Sequence, residues 1–254
     1  MATTKLAVDG RECLSFTVEG PWAHFRRIDT TTEKLTYRVM PRTTIAGLVA
    51  AILGEPRDSY YETFAQDASA IAISPECDLE TQSIPQLTLP TTAGDIKTAE
   101  GVSGKTVVDP EVIATERKRR TFEYVVDPSY RIDLVLDDEE TRDRLWEFLE
   151  TGRTTYTPFL GKSECLASIT DVARSTVEDG GDGESIESTV PEEYVVPTPG
   201  SPLRMERTPA YMAANETGRE TTGFVSYAYA PGDETLTAPD APVHRVQDRS
   251  VCFI

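Results

Sequence analysis

The order of two strand-and-helix units limits the folds open to this chain more than any other feature of its sequence. Residues 13–19 alternate between apolar and polar side chains, which predicts a half-buried strand. Residues 43–53 then carry apolar side chains at helical spacing, with Thr43 as the predicted N-cap. We expect residues 60–64 to continue as a second helical piece and residues 70–73 to form the next strand.

The second unit begins with two predicted strands, over 122–126 and 130–136, on either side of the turn residues Asp127-Pro128. The combined order of strand-helix-strand, insertion and strand-strand-helix-strand predicts an α+β domain of the split βαβ type. After these strands we expect a helix that begins at an N-cap of Asp137 or Asp138 and ends at Gly152. Further strands are expected over 163–169, 224–229 and 251–254.

Two stretches interrupt this order. Residues 85–121 are rich in Thr, Gly and Pro and show no sustained period. A stretch of this length without structure is unusual inside one domain, so it predicts a functional loop or an insertion. Residues 175–203 contain seven acidic residues and no Lys or Arg, which predicts a solvated, mobile insertion.

The chain is strongly acidic, with 43 Asp and Glu residues against 25 Lys and Arg residues and a net charge of −18. The basic residues are 19 Arg and only 6 Lys. Sequences rich in acids and poor in Lys suit concentrated salt, where self-repulsion is screened. We therefore expect a halophilic host. An ordinary acidic protein is the alternative, and full folding at low salt would favour it.

The spacing of cysteines and histidines argues against a metal centre. The four cysteines include no CxxC pair, and neither histidine lies near a cysteine pair, so we expect free, mostly buried thiols, no metal and no cofactor. The first ten residues lack an apolar segment, and no run approaches the length of a membrane span. These features predict a cytoplasmic protein that has no membrane partner.

Basic residues collect in two places despite the acidic background, and aromatic side chains are interleaved with the first group. Arginine pairs with phosphate and stacks on bases, and aromatic faces hold unstacked bases at about 1–3 kcal/mol each. This combination favours single-stranded RNA over duplex DNA. The first basic island is Arg26, Arg27, Lys34, Arg38 and Arg42, among Trp22, Phe25 and Tyr37; the second basic island is Arg117, Lys118, Arg119 and Arg120, with Arg131.

Each part of this pattern also has an ordinary structural explanation. Trp22 and Phe25 are equally well explained as core residues, and a run of basic residues is usually a solvated loop. Residues 99–106 fit a relaxed Walker A pattern, but a Thr-, Gly- and Pro-rich stretch precedes them and Pro110 follows soon after. A phosphate loop needs a strand before it and a helix after it. We expect Lys105 instead to lie at a hairpin tip and to reach a phosphate.

A metal-independent endoribonuclease is the competing enzymatic hypothesis. It would use His24 as a general acid or base, with Tyr37 not far away in the sequence. A lone histidine is more often a hydrogen-bonded or RNA-contacting residue than a base. A salt-adapted acidic protein without any RNA role is a third alternative.

Several segments resemble one protein family. Residues 16–26, FTVEGPWAHFR, and residues 37–48, YRVMPRTTIAGL, are similar to the first strand, loop and helix entry of the fifth CRISPR-associated protein family, within the RAMP superfamily. Residues 122–132 and 159–164 match its later signatures. The first fifty residues carry the specific part of the resemblance, which is closest to the type I-B branch, whereas residues 175–203 have no counterpart in the family.

The resemblance implies a single domain over 1–254 with an RNA-recognition-like, ferredoxin-like fold and a β-hairpin thumb inserted within 85–121. It implies a non-catalytic subunit of a type I effector complex, Cascade, that binds the 5′ handle of the guide RNA and caps the backbone filament in defence against foreign DNA. The partners would be this RNA, the backbone subunit and the large subunit, with target DNA as a further candidate. One branch of the family cleaves repeat RNA with a Tyr and a central Lys-His pair, but this chain has Arg-Lys-Arg-Arg at that place.

The resemblance and the two basic islands together give a set of predicted RNA-binding residues. We predict no catalytic residue. The set is Trp22, His24, Phe25, Arg26, Arg27, Tyr37, Arg38, Arg42, Lys105, Arg117, Lys118, Arg119, Arg120 and Lys162.

Overall fold

A computed structural model describes residues 5–27, 30, 33–88, 117–180, 183–197, 203–216, 218–232 and 234–254, and the backbone of 96–98 and 106–108. No helix in these ranges is long and apolar enough to cross a membrane. In chain order the described elements are β1 (Glu12–Glu19), β2 (Trp22–Ala23), β3 (Phe25–Arg26), β4 (Thr36–Tyr37), α1 (Arg42–Leu53), β5 (Ser69–Pro75), β6 (Thr81–Thr88), β7 (Ile96–Thr98), β8 (Thr106–Val108), β9 (Lys118–Val126), β10 (Ser129–Leu136), α2 (Glu139–Glu150), β11 (Ser168–Asp179), β12 (Val190–Pro191), β13 (Arg204–Asn215), β14 (Gly218–Tyr229), β15 (Val243–Val246) and β16 (Arg249–Cys252).

Six strands form the central sheet, in the order β16-β15-β11-β1-β10-β5, and their pairings are antiparallel. The helix α1 connects β1 to β5, and α2 connects β10 to β11, so each helix joins two strands that are separated by another strand in the sheet. A second sheet has the order β12-β14-β13, and a third has the order β2-β9-β6. The predicted α+β class with antiparallel sheet is confirmed.

The two faces of the central sheet differ in chemistry. Leu14 and Phe16 of β1 are fully buried in one core cluster with apolar residues of α1 and α2. Ser15 lies between them in sequence, so its side chain points to the other face, where it donates to Asp133 at 2.6 Å. That face is closed by a second apolar cluster that includes Cys13 and Phe253. As predicted, all four cysteines are free, and three of them are buried.

The predicted helix over 43–53 is present as α1, but its first residue and its cap differ from the prediction. It begins at Arg42, and Pro41 is the N-cap without any side-chain hydrogen bond, so Thr43 is not the cap. Gly54 ends the helix with φ +78° and donates to the carbonyl of Ala50. Residues 60–64 form turns rather than a second helical piece; the preceding Asp58, at φ +67°, breaks any helical run.

The second helix agrees with its prediction. Asp138 caps α2 and accepts hydrogen bonds from the backbone N–H groups of Glu140 and Thr141. Leu145 and Leu149 are buried against the core, four residues apart on one face of the helix.

Three other sequence predictions need correction. Residues 85–88 and 118–121 are not irregular, because they belong to β6 and β9, which pair continuously from Thr81↔Val125 to Thr88↔Lys118. The expected strand over 163–169 begins only at Ser168, because Cys165 donates back to the carbonyl of Lys162 at 2.9 Å and closes a turn.

The acidic stretch 175–203 is not wholly solvated. Residues 175–179 complete β11 and pair with β1 and β15 in the central sheet. Ile186 and Val190 are completely buried in a third apolar cluster. The acidic composition suggested a solvated segment. The burial of the segment is instead decided by its few apolar residues, which pack into the core.

Candidate nucleic-acid interface

The two basic islands meet along β9. The backbone N–H of Lys34 donates to the carbonyl of Thr121 at 3.0 Å, and Glu123 donates to the carbonyl of Lys34 at 2.9 Å. Burial, followed by the positive charges of Arg26 and Arg120, lowers the pKa of Lys34. Cations from both islands therefore lie close enough to repel one another, although they are far apart in sequence.

A row of rings lies on the same face of β9 as Arg120. Residues two apart in a strand share a face, so Arg120, Phe122 and Tyr124 point to one side. The Trp22 ring lies 6.0 Å from Tyr124, and the His24 ring lies 5.6 Å from Phe122 and 5.4 Å from Tyr124. We call Trp22, His24, Phe122 and Tyr124 the aromatic row. It joins the segment after β1 to the strand that carries the second basic island.

Lys162 covers this row from a loop that follows α2. Its Nζ atom lies 4.3 Å from the centre of the Phe122 ring and donates to the Tyr124 hydroxyl at 2.9 Å. The ammonium group also forms an ion pair with Glu164. Although burial opposes the effect, these hydrogen bonds to Glu164 and Tyr124 raise the pKa of Lys162. Lys162 thus keeps its positive charge while it packs on aromatic faces.

Gly161 is the residue that lets this loop approach so closely. Its φ angle is +86°, and a Cβ atom at this position would lie 2.1 Å from the carbonyl oxygen of His24. The backbone N–H of His24 also donates to the carbonyl of Leu160 at 3.0 Å. The loop is therefore fixed against the segment between β2 and β3, and only glycine fits at its closest point.

A cleft of about 570 Å³ opens beside the aromatic row. Its walls come from β3, β9, the loop that carries Lys162, and the first half of α1, where Thr43 and Thr44 face the space. The first turn of α1 holds no acidic residue, and a helix N-terminus favours an anion. We call this space the basic cleft. Its other notable lining residues are His24, Arg26, Tyr60, Phe122, Phe159, Lys162 and Arg219.

Two of the predicted stacking residues belong to the core. Phe25 is buried and packs against Tyr130, with 6.0 Å between ring centres. Tyr37 is buried on β4 and lies 5.7 Å from the guanidinium of Arg27. Tyr37 is therefore a core residue, whereas Phe25, although buried, still borders the basic cleft next to His24. Trp22 is only partly buried.

Arg42 is a buried structural residue rather than a surface residue, so its assignment to the RNA-binding set is corrected. The side chain is only 1% exposed. It donates to the carbonyls of Ile254 at 2.8 Å and Ser69 at 2.9 Å, and to the Ser69 hydroxyl at 2.6 Å. Burial lowers the pKa of Arg42 to about 10, so it stays charged at neutral pH.

Arg131 of the second island also lies elsewhere. It is 8% exposed on the sheet face that carries Thr17, and it donates to the carbonyl of Asp171 and, at 3.4 Å, to the Thr17 hydroxyl. Arg131 follows Arg120 by only eleven residues, which suggested one basic island, but Arg120 belongs to β9 of the third sheet and Arg131 to β10 of the central sheet.

Arg27 and Arg38 lie beside a buried carboxylate rather than in the basic cleft. Glu206 accepts hydrogen bonds from the backbone N–H groups of Arg38, at 3.0 Å, and Val39, at 3.0 Å. Burial raises the pKa of Glu206, and the charges of Arg38 and Arg27 oppose this rise. This contact attaches the segment of the first island to β13.

The remaining predicted residues divide between exposed and undescribed positions. Arg117, Lys118 and Arg119 are exposed at the start of β9. Lys105 lies outside the described residues, as do the other residues of the relaxed Walker A pattern except Thr106, which begins β8.

The enzymatic hypothesis pairs His24 with Tyr37. The imidazole of His24 packs on Phe122 and Tyr124. Tyr37 pairs with Phe25 in the β3–β4 ladder and is buried in the main core. The two side chains therefore have different surroundings, and only His24 reaches the basic cleft.

A comparison with known families matches the same region. A family model described as CRISPR-associated protein (Cas_Cas5) matches residues 13–223, which include the residues named above as lining the basic cleft. The chain belongs to the Cas_Cas5 family. The resemblance that the sequence motifs indicated is thereby confirmed. No protein of curated function matches the sequence.

Solved structures share the fold of this Cas_Cas5 chain. A chain of a "CRISPR RNA-guided surveillance complex" is 12% identical, with a TM-score of 0.52 over 89% of this chain and 91% of that one. A CRISPR protein from Archaeoglobus fulgidus is 14% identical, with a TM-score of 0.53 over 94% of this chain and 98% of that one. At such low identity these similarities establish the fold alone.

Several residues of the basic cleft were not predicted from the sequence of this Cas_Cas5 chain. Phe122 was predicted only as part of a strand, although its position two residues after Arg120 could have indicated that both side chains share one face of that strand. Phe159 lay in a segment matched for its family likeness rather than its chemistry. Arg219 reaches the cleft from the β13–β14 hairpin, and its sequence gave no signal of this.

Proposed function

We propose that this chain is a non-catalytic subunit of a type I CRISPR effector complex, in which the basic cleft and β9 hold single-stranded guide RNA by its repeat-derived 5′ handle. The observation that carries the proposal is the meeting of Arg26, Lys34 and Arg120 beside the aromatic row, in a chain whose net charge is −18. Mutual repulsion among these cations is relieved when a polyanion binds.

The chemistry of the site favours a single strand over a duplex. Partly buried rings of Trp22 and Phe122 lie among arginine and lysine side chains, and unstacked bases need such faces. The cleft volume of about 570 Å³ suits a few chemical groups of one strand. Target DNA remains a further candidate at other surfaces of the complex.

The fold is consistent with this role. The strand order β11-β1-β10-β5, with crossovers through α1 and α2, supports the proposed ferredoxin-like arrangement of an RNA-recognition domain. The β6–β9 hairpin fits the position of the thumb that the family resemblance implies. A structural neighbour comes from a CRISPR RNA-guided surveillance complex. We therefore propose the Cascade backbone and large subunits as protein partners, in the cytoplasm.

The proposal is tested by recovering RNA with the tagged protein, at the salt concentration of its host, from cells that contain a CRISPR array and the other subunits. We expect guide RNAs that begin with the repeat-derived handle. The double variant Arg26→Ala/Arg120→Ala should lose most of this RNA. The matched control Arg144→Ala/Arg153→Ala removes two arginines that are already paired with Glu55 and Glu147, and should retain it. Recovery of no RNA, or of RNA unrelated to the array, would contradict the proposal.

A second assay separates binding from catalysis. The purified chain is incubated with repeat RNA in EDTA, and we expect the RNA to stay intact. Site-specific cleavage that is lost in His24→Ala would instead establish the metal-independent endoribonuclease.

A further inference from the structure

The imidazole of His24 is held in one tautomer. Its Nδ1 atom lies 2.7 Å from the backbone carbonyl oxygen of Glu123. A carbonyl oxygen can only accept a hydrogen bond, so Nδ1 must carry the proton. In the neutral ring the other nitrogen, Nε2, then carries a lone pair and acts as an acceptor.

The Nε2 atom has no hydrogen-bond partner within the part of the chain that the structure describes. It is not one of the fully buried atoms without a partner, so it keeps some exposed surface. His24 as a whole is 97% buried by its neighbours, yet it lines the cleft. The rings of Phe122 and Tyr124 and the close approach of Gly161 fix its position.

The charges around the ring favour its neutral form. Burial, and then the positive charges of Lys162 and Arg26, lowers the pKa of His24, while the Glu123 carbonyl and Glu164 oppose this. The cleft therefore combines an acceptor with two cationic side chains that can only donate hydrogen bonds. A ligand held there must bring an anionic group to Arg26 or Lys162, and a hydrogen-bond donor to Nε2.

We propose that His24 recognises a ribose 2′-hydroxyl group and so selects RNA over DNA. This inference rests on the proposed function. The 2′-hydroxyl is the donor of an RNA strand that lies nearest to a backbone phosphate, which suits a cleft that holds an acceptor together with two cations. A base amine is the alternative donor, but it lies farther from the phosphates that Arg26 and Lys162 attract. In DNA the Nε2 atom would lose its partner in the cleft.

The test compares the affinity of the full-length chain for three eight-nucleotide strands of uridine: RNA, 2′-fluoro RNA and DNA. Fluorine has about the size of the hydroxyl group but donates no hydrogen bond. All measurements use one KCl concentration at which the chain is folded. We expect RNA to bind about three- to tenfold more tightly than the 2′-fluoro strand, the effect of one net hydrogen bond.

Two variants assign the preference to His24. His24→Phe keeps a ring but no acceptor, so the affinity ratio of RNA to 2′-fluoro RNA should fall to about one. His24→Gln can place an amide oxygen, which is also an acceptor, near the position that Nε2 occupies. This variant should therefore restore part of the preference for RNA over 2′-fluoro RNA.

Equal affinity of the wild-type chain for the RNA and 2′-fluoro strands would overturn the inference and leave RNA binding intact. An unchanged ratio in His24→Phe would overturn it as well, because the preference would then belong to another residue. Failure to bind any of the three strands would contradict the proposed function itself, and the inference with it.

Discussion

Arginines on two sides of this molecule have different surroundings. Beside α2, Arg142 and Arg174 share Glu12 and Asp143, and Arg144 pairs with Glu55 at 2.6 Å. Beside the basic cleft, Arg26 forms no ion pair with any residue that the structure describes. In a chain with 43 acidic residues, carboxylates are abundant. An arginine at the cleft without such a partner among the described residues is therefore the informative feature, and it favours an anion that comes from outside the chain.

Arg42 shows that pairing and exposure must be considered together. It lies only sixteen positions after Arg26 in the same basic island, but it is buried among backbone carbonyls. Local charge density thus identifies a basic segment without saying which of its members face solvent. The predictions below separate these classes of basic residue.

The largest expected effect is on stability. Arg42→Met should lower the free energy of unfolding by about 3–5 kcal/mol, because the carbonyls of Ile254 and Ser69 lose their donor inside the core. Denaturant unfolding at constant KCl measures it. Arg153→Met, which breaks an exposed ion pair with Glu147, is the control and should cost no more than about 1 kcal/mol. Equal losses of unfolding free energy in the two variants would contradict the proposed difference between buried and exposed arginines.

The loop at Gly161 should come next. Gly161→Ala should destabilise the protein by about 2–3 kcal/mol, because both its positive φ angle and the contact of the new Cβ with the His24 carbonyl are unfavourable. Gly152→Ala is the matched control, since Gly152 has φ +66° but no heavy atom within 4 Å of the added Cβ. It should cost only about 1 kcal/mol. If Gly152→Ala lowers the stability as much as Gly161→Ala does, the close approach of the Gly161 loop to His24 adds nothing to the cost of the substitution.

The cleft cations should affect RNA affinity instead of folding. Arg26→Ala/Arg120→Ala should weaken binding of the eight-nucleotide RNA by about tenfold or more. It should also reduce the slope of log affinity against log salt by about 1.4, if each arginine neutralises one phosphate of a single strand. A salt titration followed by fluorescence anisotropy measures both. Arg144→Ala/Arg153→Ala should change neither, and a matching loss there would show that only overall charge matters.

The smallest expected effect is on pH dependence. Because the pKa of His24 is lowered in the folded state, its contribution to stability is present above the ordinary histidine pKa of about 6.5, and is lost as the pH falls through the folded pKa. Acidification from neutral pH should therefore destabilise the wild type more than His24→Gln. Thermal melts of both proteins across this range test it. Parallel curves would mean that Lys162, Arg26 and burial do not disfavour the imidazolium.

The order of strands and helices was predictable because it depends on local patterns. The alternation of apolar and polar side chains predicted β1, and apolar side chains at helical spacing predicted α1 and α2. The failures arose where distant parts of the chain decide the outcome. Residues 175–180 and 183–191 are rich in acidic side chains, but pairing with β1 and the buried side chains of Ile186 and Val190 hold them in the structure.

The candidate site was predictable in part for the same reason. The basic islands were visible, but their meeting depends on hydrogen bonds between Lys34 and β9 across more than eighty residues. Whether an arginine faces solvent or backbone carbonyls depends on tertiary packing, which local charge does not encode. Concentrated salt would screen phosphate contacts, so the proposed RNA binding would then depend on stacking and on contacts with other subunits.

Ultraviolet cross-linking of RNA to the purified complex, followed by mass spectrometry of the linked peptides, tests the central claim most directly. The account predicts cross-links in peptides that contain Trp22 to Arg26, Arg120 to Tyr124, and Phe159 to Lys162. Cross-links confined to the α2 side, with none in these three peptides, would contradict it.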